Sequence, residues 1–210
     1  MSSLESELTA DLEWREAELA AMKALLVRTP QLSPSRKAML RSCTALLYAH
    51  YEGFCKFCWD AYLDAVEKDS SIFTEQLVED LAILSVKKLL KSARGNLSDR
   101  GLWNLAHTDL PARLNIRPKF EVRPETESNL WPNLLRDNLG LIGLSSCQLE
   151  EFSTQLGSLV GKRNGIAHGE RLTIKGIDEF GQFEKAALMV MHDVALTMID
   201  SIKNRSYAIS

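Results

Sequence analysis

An all-α fold, an antiparallel helical bundle with a proline-rich insertion between the third helix and the C-terminal helices, is what the sequence predicts. Three features predict it. Apolar residues recur every three or four positions along most of the chain, four of the six prolines fall between positions 109 and 133, and no internal repeat divides the chain into smaller units. With 210 residues and 45% apolar content the chain can bury one sizeable core, so residues 1–210 read as a single helical domain.

The first helix is expected over residues 3–26, where Leu4, Leu8, Leu12, Leu19, Met22 and Leu26 stand near helical spacing. It gives residues 1–30 the character of an acidic N-terminal helix. The segment "RTPQLSPS" breaks it, and Ser33 followed by Pro34 supplies a cap and a first-turn proline for the next helix. That helix is expected to end near Asp69. Its stripe of Leu40, Cys43, Leu47, Tyr51, Phe54, Cys58, Ala61 and Ala65 steps by three and four, and its length makes it the central member of the bundle. A third helix is expected over residues 71–92, with Leu77, Leu81, Leu84, Leu89 and Leu90 as its apolar positions and Lys87, Lys88 and Lys91 suited to its C-terminal end. The insertion, about residues 108–128, reads as irregular. A short helix near Leu102 precedes it, and "RLNIRPKFEVRP" alternates as a small hairpin would. Helical order returns over residues 130–139, stopped by Gly140. It returns again from Ser146, where Leu149, Phe152, Leu156, Val160, Arg163 and Ala167 form one stripe that ends at Gly169. A last helix over residues 178–204 turns Phe180, Phe183, Ala187, Val190, Val194 and Met198 inward.

A net charge of −3 argues against a protein coated in basic charge for gripping nucleic acid. The local distribution says more. Residues 4–20 hold six acidic side chains against Arg15 alone, whereas residues 87–123 hold nine basic and three acidic ones, a face suited either to an anionic substrate or simply to solvent. The four cysteines are too few and too scattered for a disulfide framework. Cys55 and Cys58 form a C-x-x-C within the long helix, where Cys43 and Cys58 stand about 22 Å apart at 1.5 Å per residue. That helix alone cannot close a four-ligand zinc site, and the thiols read as small buried hydrophobes. The first ten residues lack the pattern of a signal peptide and no run reaches the roughly 18 apolar residues of a membrane span. A cytoplasmic protein without membrane association is expected.

The segment "KRNGIAHGE" concentrates chemistry. Random placement of 13 arginines and four histidines in 210 residues gives about 0.25 Arg-x4-His pairs, so context must carry the motif. Arg163 lies on the inward stripe, where a charge needs a partner or a task, and Gly161 and Gly169 flank the segment. Five steps of about 100° put Arg163 and His168 roughly 140° apart on a straight helix, while Asn164 and His168 share a face. Loosening at Gly165, a wrapped arginine or a second protomer would each reconcile them. RNA cleavage by its own 2′-hydroxyl needs a base, an acid and positive charge beside the phosphorane; two histidines and two arginines supply all of it without a metal or cofactor. A second pair, Arg100 and His107, has the looser Arg-x6-His spacing but no polar residue after the arginine. His50 and His192 read as partly buried residues without a catalytic role. Trp14, Trp59, Trp103 and Trp131 are dispersed and read as packing anchors.

An all-α bundle with Arg163-Asn164, three intervening residues and His168, together with the long helix bearing "YAHYEGFCKFCWDAYLDAV", resembles the HEPN superfamily, the second feature being similar to the "EGF" helix of its bacterial nuclease-like branches. The resemblance implies a metal-independent endoribonuclease acting on an RNA substrate as a homodimer with a composite active site, serving as a toxin or anti-phage effector alongside an antitoxin or regulatory protein. It implies catalytic roles for Arg163 and His168 and an orienting role for Asn164. Glu52 and Lys162 are candidate supporting residues, Glu52 as an ion-pair partner of Arg163. Toxin members carry a tyrosine two residues past the histidine; here Glu170 stands there, which leaves neutralisation by nucleotide transfer without its target. The alternative implication is a non-catalytic helical dimerisation or RNA- or protein-binding module.

Overall fold

The computed structural model describes residues 3–95, 97–171 and 173–209. Four long helices, α1 (Ser3–Arg28), α2 (Pro34–Lys68), α7 (Cys147–Ala167) and α8 (Ile177–Asn204), form an antiparallel bundle in which α2 packs against the other three. Between α2 and α7 the chain builds a flank from α3 (Glu79–Ala93), α4 (Asp99–Asn104), α5 (Leu110–Leu114) and α6 (Pro132–Gly140). The fold is all-α, and among the described residues the only β pairing is an isolated bridge between Leu77 and Ala208.

The local chemistry explains the boundaries. Ser33 caps α2, its hydroxyl accepting from the Arg36 N–H at 3.1 Å, with Pro34 in the first turn. Arg36 is itself buried, and Nη1 donates to the Leu26 and Thr29 carbonyls at 2.9 and 2.7 Å. A cation thus sits on the last carbonyls of α1, adding to the Thr29 N–H that already donates to the Leu26 carbonyl at 3.2 Å. The 35 residues of α2 span about 52 Å. Its predicted stripe is buried from Leu40 to Ala61, and Cys43, Cys55 and Cys58 lie inside with thiol pKa values raised by burial. Gly53 is where the Arg15 guanidinium of α1 crosses α2: a β-carbon there would meet Arg15 Nη1 at 3.1 Å.

The third helix starts later than its leucines suggest. Residues 71–78 instead make a short 3₁₀ turn over Thr74–Gln76 and an extended joint with the chain end. The Val78 N–H donates to the Tyr207 carbonyl at 2.9 Å and the Ile209 N–H to the Gln76 carbonyl at 2.8 Å. Backbone pairing with residues more than a hundred positions away overrides a local helical pattern. Helices α4 and α5 join through a π turn, Leu105–Asp109, so residues 99–114 are helical throughout.

The hairpin expected within "RLNIRPKFEVRP" does not form; "RL" ends α5 and the remainder is a strap across α2. The Phe120 N–H donates to Glu67 Oε1 at 2.6 Å, Arg123 reaches Asp60 and Asp64, and the Leu130 N–H donates to the Tyr48 hydroxyl at 2.8 Å. Phe120, Pro118 and Pro124 are buried beneath it. Prolines lack the donor that a strand ladder requires, and α2 offers anchors at three heights.

Candidate active site

Helix α7 begins at Ser146, whose hydroxyl accepts from the Leu149 N–H at 3.1 Å and donates to Asp193 of α8 at 2.6 Å. It remains helical through Gly165, which is buried, so no loosening there turns Arg163 toward His168. The helix stops in a Schellman motif: Glu170 N–H donates to the Gly165 carbonyl at 2.8 Å and Gly169 N–H to the Ile166 carbonyl at 3.1 Å. Gly169 adopts φ +76°, the left-handed conformation this ending requires. His168 is the C-cap residue and is exposed. Its ring makes no hydrogen bond or ion pair among the described residues. Ala167, expected on the inward stripe, is also exposed, because the stripe passes to Gly165 as the helix leaves the core.

Arg163 turns the other way. It is half-buried, Nη1 donates to Asn129 Oδ1 at 2.9 Å and to Asn164 Oδ1 at 3.2 Å, and the guanidinium lies 4.4 Å from the centre of the Tyr48 ring. These partners are two neutral amides and an aromatic face. No carboxylate comes within ion-pair distance of Arg163 among the described residues, so the pairing with Glu52 expected from the sequence is not made. Glu52 sits one turn beyond Tyr48 on α2, with Oε1 buried and unpartnered. The Tyr48 phenol, pushed up to about 12 first by burial, feels both the Glu52 carboxylate and the Arg163 cation. Lys162 is used elsewhere: Nζ donates to the Thr173 carbonyl at 2.9 Å and lies 3.6 Å from Glu179 Oε1, tying the loop after α7 to the start of α8. Arg41 of α2 closes the same loop through the Glu170 carbonyl at 2.8 Å.

Two residues of the site escaped sequence reading. Tyr48 is inside the "EGF" helix, four positions before Glu52, and its aromatic spacing there signals only core. Asn129 has no signal at all. It lies in the strap behind Glu127 and Ser128, which both adopt positive φ, 48° and 68°, a conformation that costs a non-glycine residue about 1 kcal/mol or more. These two turns aim Asn129 at Arg163. A polar cleft of about 460 Å³ opens beside Asn129, lined also by Glu127, Trp131 and Asp137; its carboxylates make it a poor seat for phosphate.

The other sequence candidates lie apart. Arg100 and His107 are exposed on α4 and the π turn. His192 is exposed and meets Glu16 at 2.6 Å, whereas His50 is buried between α1 and α2. Only Trp59 among the tryptophans is fully buried; Trp14, Trp103 and Trp131 are exposed. No helix among the described residues is long and apolar enough to cross a membrane.

An all-α bundle whose penultimate helix ends in Arg-Asn-x3-His defines a class of helical domain rather than one protein. The family model described as MAE_28990-like HEPN matches residues 4–207, and the chain belongs to the HEPN superfamily, whose domains are generally nuclease-type modules. No curated protein and no solved structure matches the chain significantly.

Proposed function

We propose that the protein is a metal-independent endoribonuclease that cleaves single-stranded RNA, with Arg163, Asn164 and His168 as its catalytic set. The observation that carries this reading is a half-buried guanidinium held by neutral groups only. A cation without a counter-ion, fixed by amide oxygens and an aromatic face, keeps its charge for an anion that arrives later. Asn164 holds the fork in place, while His168, exposed and unpartnered, is free to exchange protons with a substrate.

In the reaction the 2′-oxygen attacks phosphorus and gives up its proton to one histidine as the bond to the 5′-oxygen breaks. A second histidine protonates that leaving oxygen, and the products are a 2′,3′-cyclic phosphate and a free 5′-hydroxyl. One chain offers one exposed His168 in this segment, pointing away from Arg163. The acid–base pair therefore belongs to a homodimer in which two copies of the motif share a cleft. The decisive test is a gel. Wild type is expected to cleave single-stranded RNA in the presence of EDTA, to yield cyclic-phosphate ends, and to lose all activity in His168→Ala. Dependence on added metal, or RNA binding without cleavage by wild type, would replace this reading with a metalloenzyme or a binding module.

A nuclease of this kind suits a toxin or anti-phage effector restrained by a partner. Expression of wild type is expected to slow bacterial growth and His168→Ala to restore it; unimpaired growth with abundant soluble wild type excludes the toxin role.

A further inference from the structure

A second polar surface lies on the flank, built by α3 and residues 99–114, which pack against each other through α5 and the π turn. Here α3, α5 and the start of the strap enclose a cleft of about 570 Å³ whose lining includes Ser85, Lys88, Arg113, Ile116, Arg117 and Lys119. Arg113 is held rigidly, its guanidinium donating to the Lys119 carbonyl at 2.8 Å, the Arg117 carbonyl at 3.1 Å and the Ser85 hydroxyl at 3.2 Å. None of these partners neutralises it. Lys88 pairs with the exposed Glu121 at 3.0 Å, and Arg123, counted with this basic run in the sequence, is neutralised instead by Asp60 and Asp64 of α2. Of the remaining cations, Lys87, Lys91, Arg94, Arg100 and Arg117 have no acidic partner among the described residues, while Lys119 acts on the Glu121 carboxylate, which also lines the cleft.

On the same helical segment Trp103 is 63% exposed, and its ring stacks on His107 with centroids 3.7 Å apart and planes 14° from parallel. His107 Nδ1 lies 3.0 Å from the Trp103 carbonyl, which holds the pair in register. A large indole left facing water beside exposed Leu102 is costly on a protein that only needs solubility. It is a ready platform for a planar ring. Trp103 and Arg113 are ten residues apart, about 15 Å along the helical axis, so one extended strand can reach both ring pair and cleft.

We propose that this surface binds single-stranded RNA away from the Arg163–His168 motif, one base stacking on the Trp103–His107 pair and the phosphates running over Arg113, Arg117 and Lys119. Aromatic faces accept any unpaired base, and basic side chains track the backbone through counterion release. Charge complementarity selects a polyanion and the open aromatic stack selects one with unpaired rings. The choice of RNA among such polymers rests on the ribonuclease reading above; the surface rests on its own charges and rings.

Fluorescence anisotropy with a short 5′-fluorescein oligouridine, using His168→Ala protein as the background, tests it. Trp103→Ala is expected to weaken binding about tenfold and Trp103→Phe to restore most of it. Arg117→Ala with Lys119→Ala is expected to flatten the dependence of log affinity on log salt by about 1.4, roughly 0.7 per phosphate contact. All these positions are at the surface, and unchanged circular dichroism verifies the fold. Affinity and salt slope unchanged in both variants would overturn the proposal, as would a blunt RNA duplex that binds as tightly as the single strand. If wild type cuts no RNA but these losses appear, the ribonuclease reading fails and the binding surface stands. If wild type cuts RNA and the losses are absent, the reverse holds.

Discussion

Arg163 rests on the Tyr48 ring, and Tyr48 in turn accepts a hydrogen bond from the Leu130 N–H, so one phenol serves two neighbours in different ways. Its face supports a cation; its oxygen satisfies a buried backbone donor. The two roles separate in Tyr48→Phe, which keeps the ring and removes the oxygen. Stability is expected to fall by about 1–3 kcal/mol, the usual consequence of stranding a buried donor, while RNA cleavage survives. Arg163→Lys should do the opposite. It keeps the charge and loses the planar fork that Asn129 and Asn164 accept from, so cleavage is expected to drop by about 100-fold or more with little change in stability. Urea titrations and initial rates on the two variants check the pair, and equal loss of both properties in either variant contradicts this division of labour.

Between elements, the joint of α1 with α2 carries a histidine that makes it sensitive to pH. His50 is buried there, with Nδ1 3.4 Å from Arg15 Nη1, Nε2 2.8 Å from a Glu18 carboxylate oxygen, and the Trp14 ring at its edge. Arg15 is itself anchored by Asp11 at 2.6 Å. Burial and the facing Arg15 lower the His50 pKa below the ordinary 6.5, outweighing the opposing pull of the Glu18 and Asp11 carboxylates. The fold therefore prefers neutral His50 and the unfolded chain binds its proton more readily. The associated stability is complete above pH about 6.5 and is lost as pH falls through the lower folded value. His50→Gln is expected to flatten the stability profile in that window. Thermal midpoints across pH 7 to 5 measure it, and a wild-type profile as flat as that of the variant would discard His50 as the cause.

At the scale of the whole molecule, the proposed catalytic set is split within one chain: Arg163 rests on Tyr48 while the exposed His168 caps the end of α7. Sharing of one cleft by two copies has a numerical signature. Wild type unfolded and refolded together with His168→Ala exchanges subunits at random in a closed two-fold dimer. With wild-type fraction f, a shared cleft gives activity close to f squared and independent sites give activity proportional to f. Equal mixing is expected to retain about one quarter of the all-wild-type rate. A linear dependence on f, or a monomer at working concentration, rejects the composite site.

What the sequence determined by itself is the class of fold, the four long helices, and the segment from Lys162 to His168 as the place where polar groups gather. Ser33-Pro34, the stripe from Leu40 to Ala61 and Gly169 act on their immediate neighbours, and such short-range physics is written in adjacent letters. What only the tertiary structure decided is which partners those polar groups receive. Arg163 met Asn129 from the strap and Tyr48 from α2 instead of Glu52, and Lys162 was drawn to Glu179. The start of α3 was set by Tyr207 and Ile209 at the chain end, and the strap by Glu67, Asp60 and Tyr48. Each of these contacts joins residues 17 or more positions apart whose spacing carries no period. The hydrogen bonds that direct them exist only after the apolar stripes have brought the helices together.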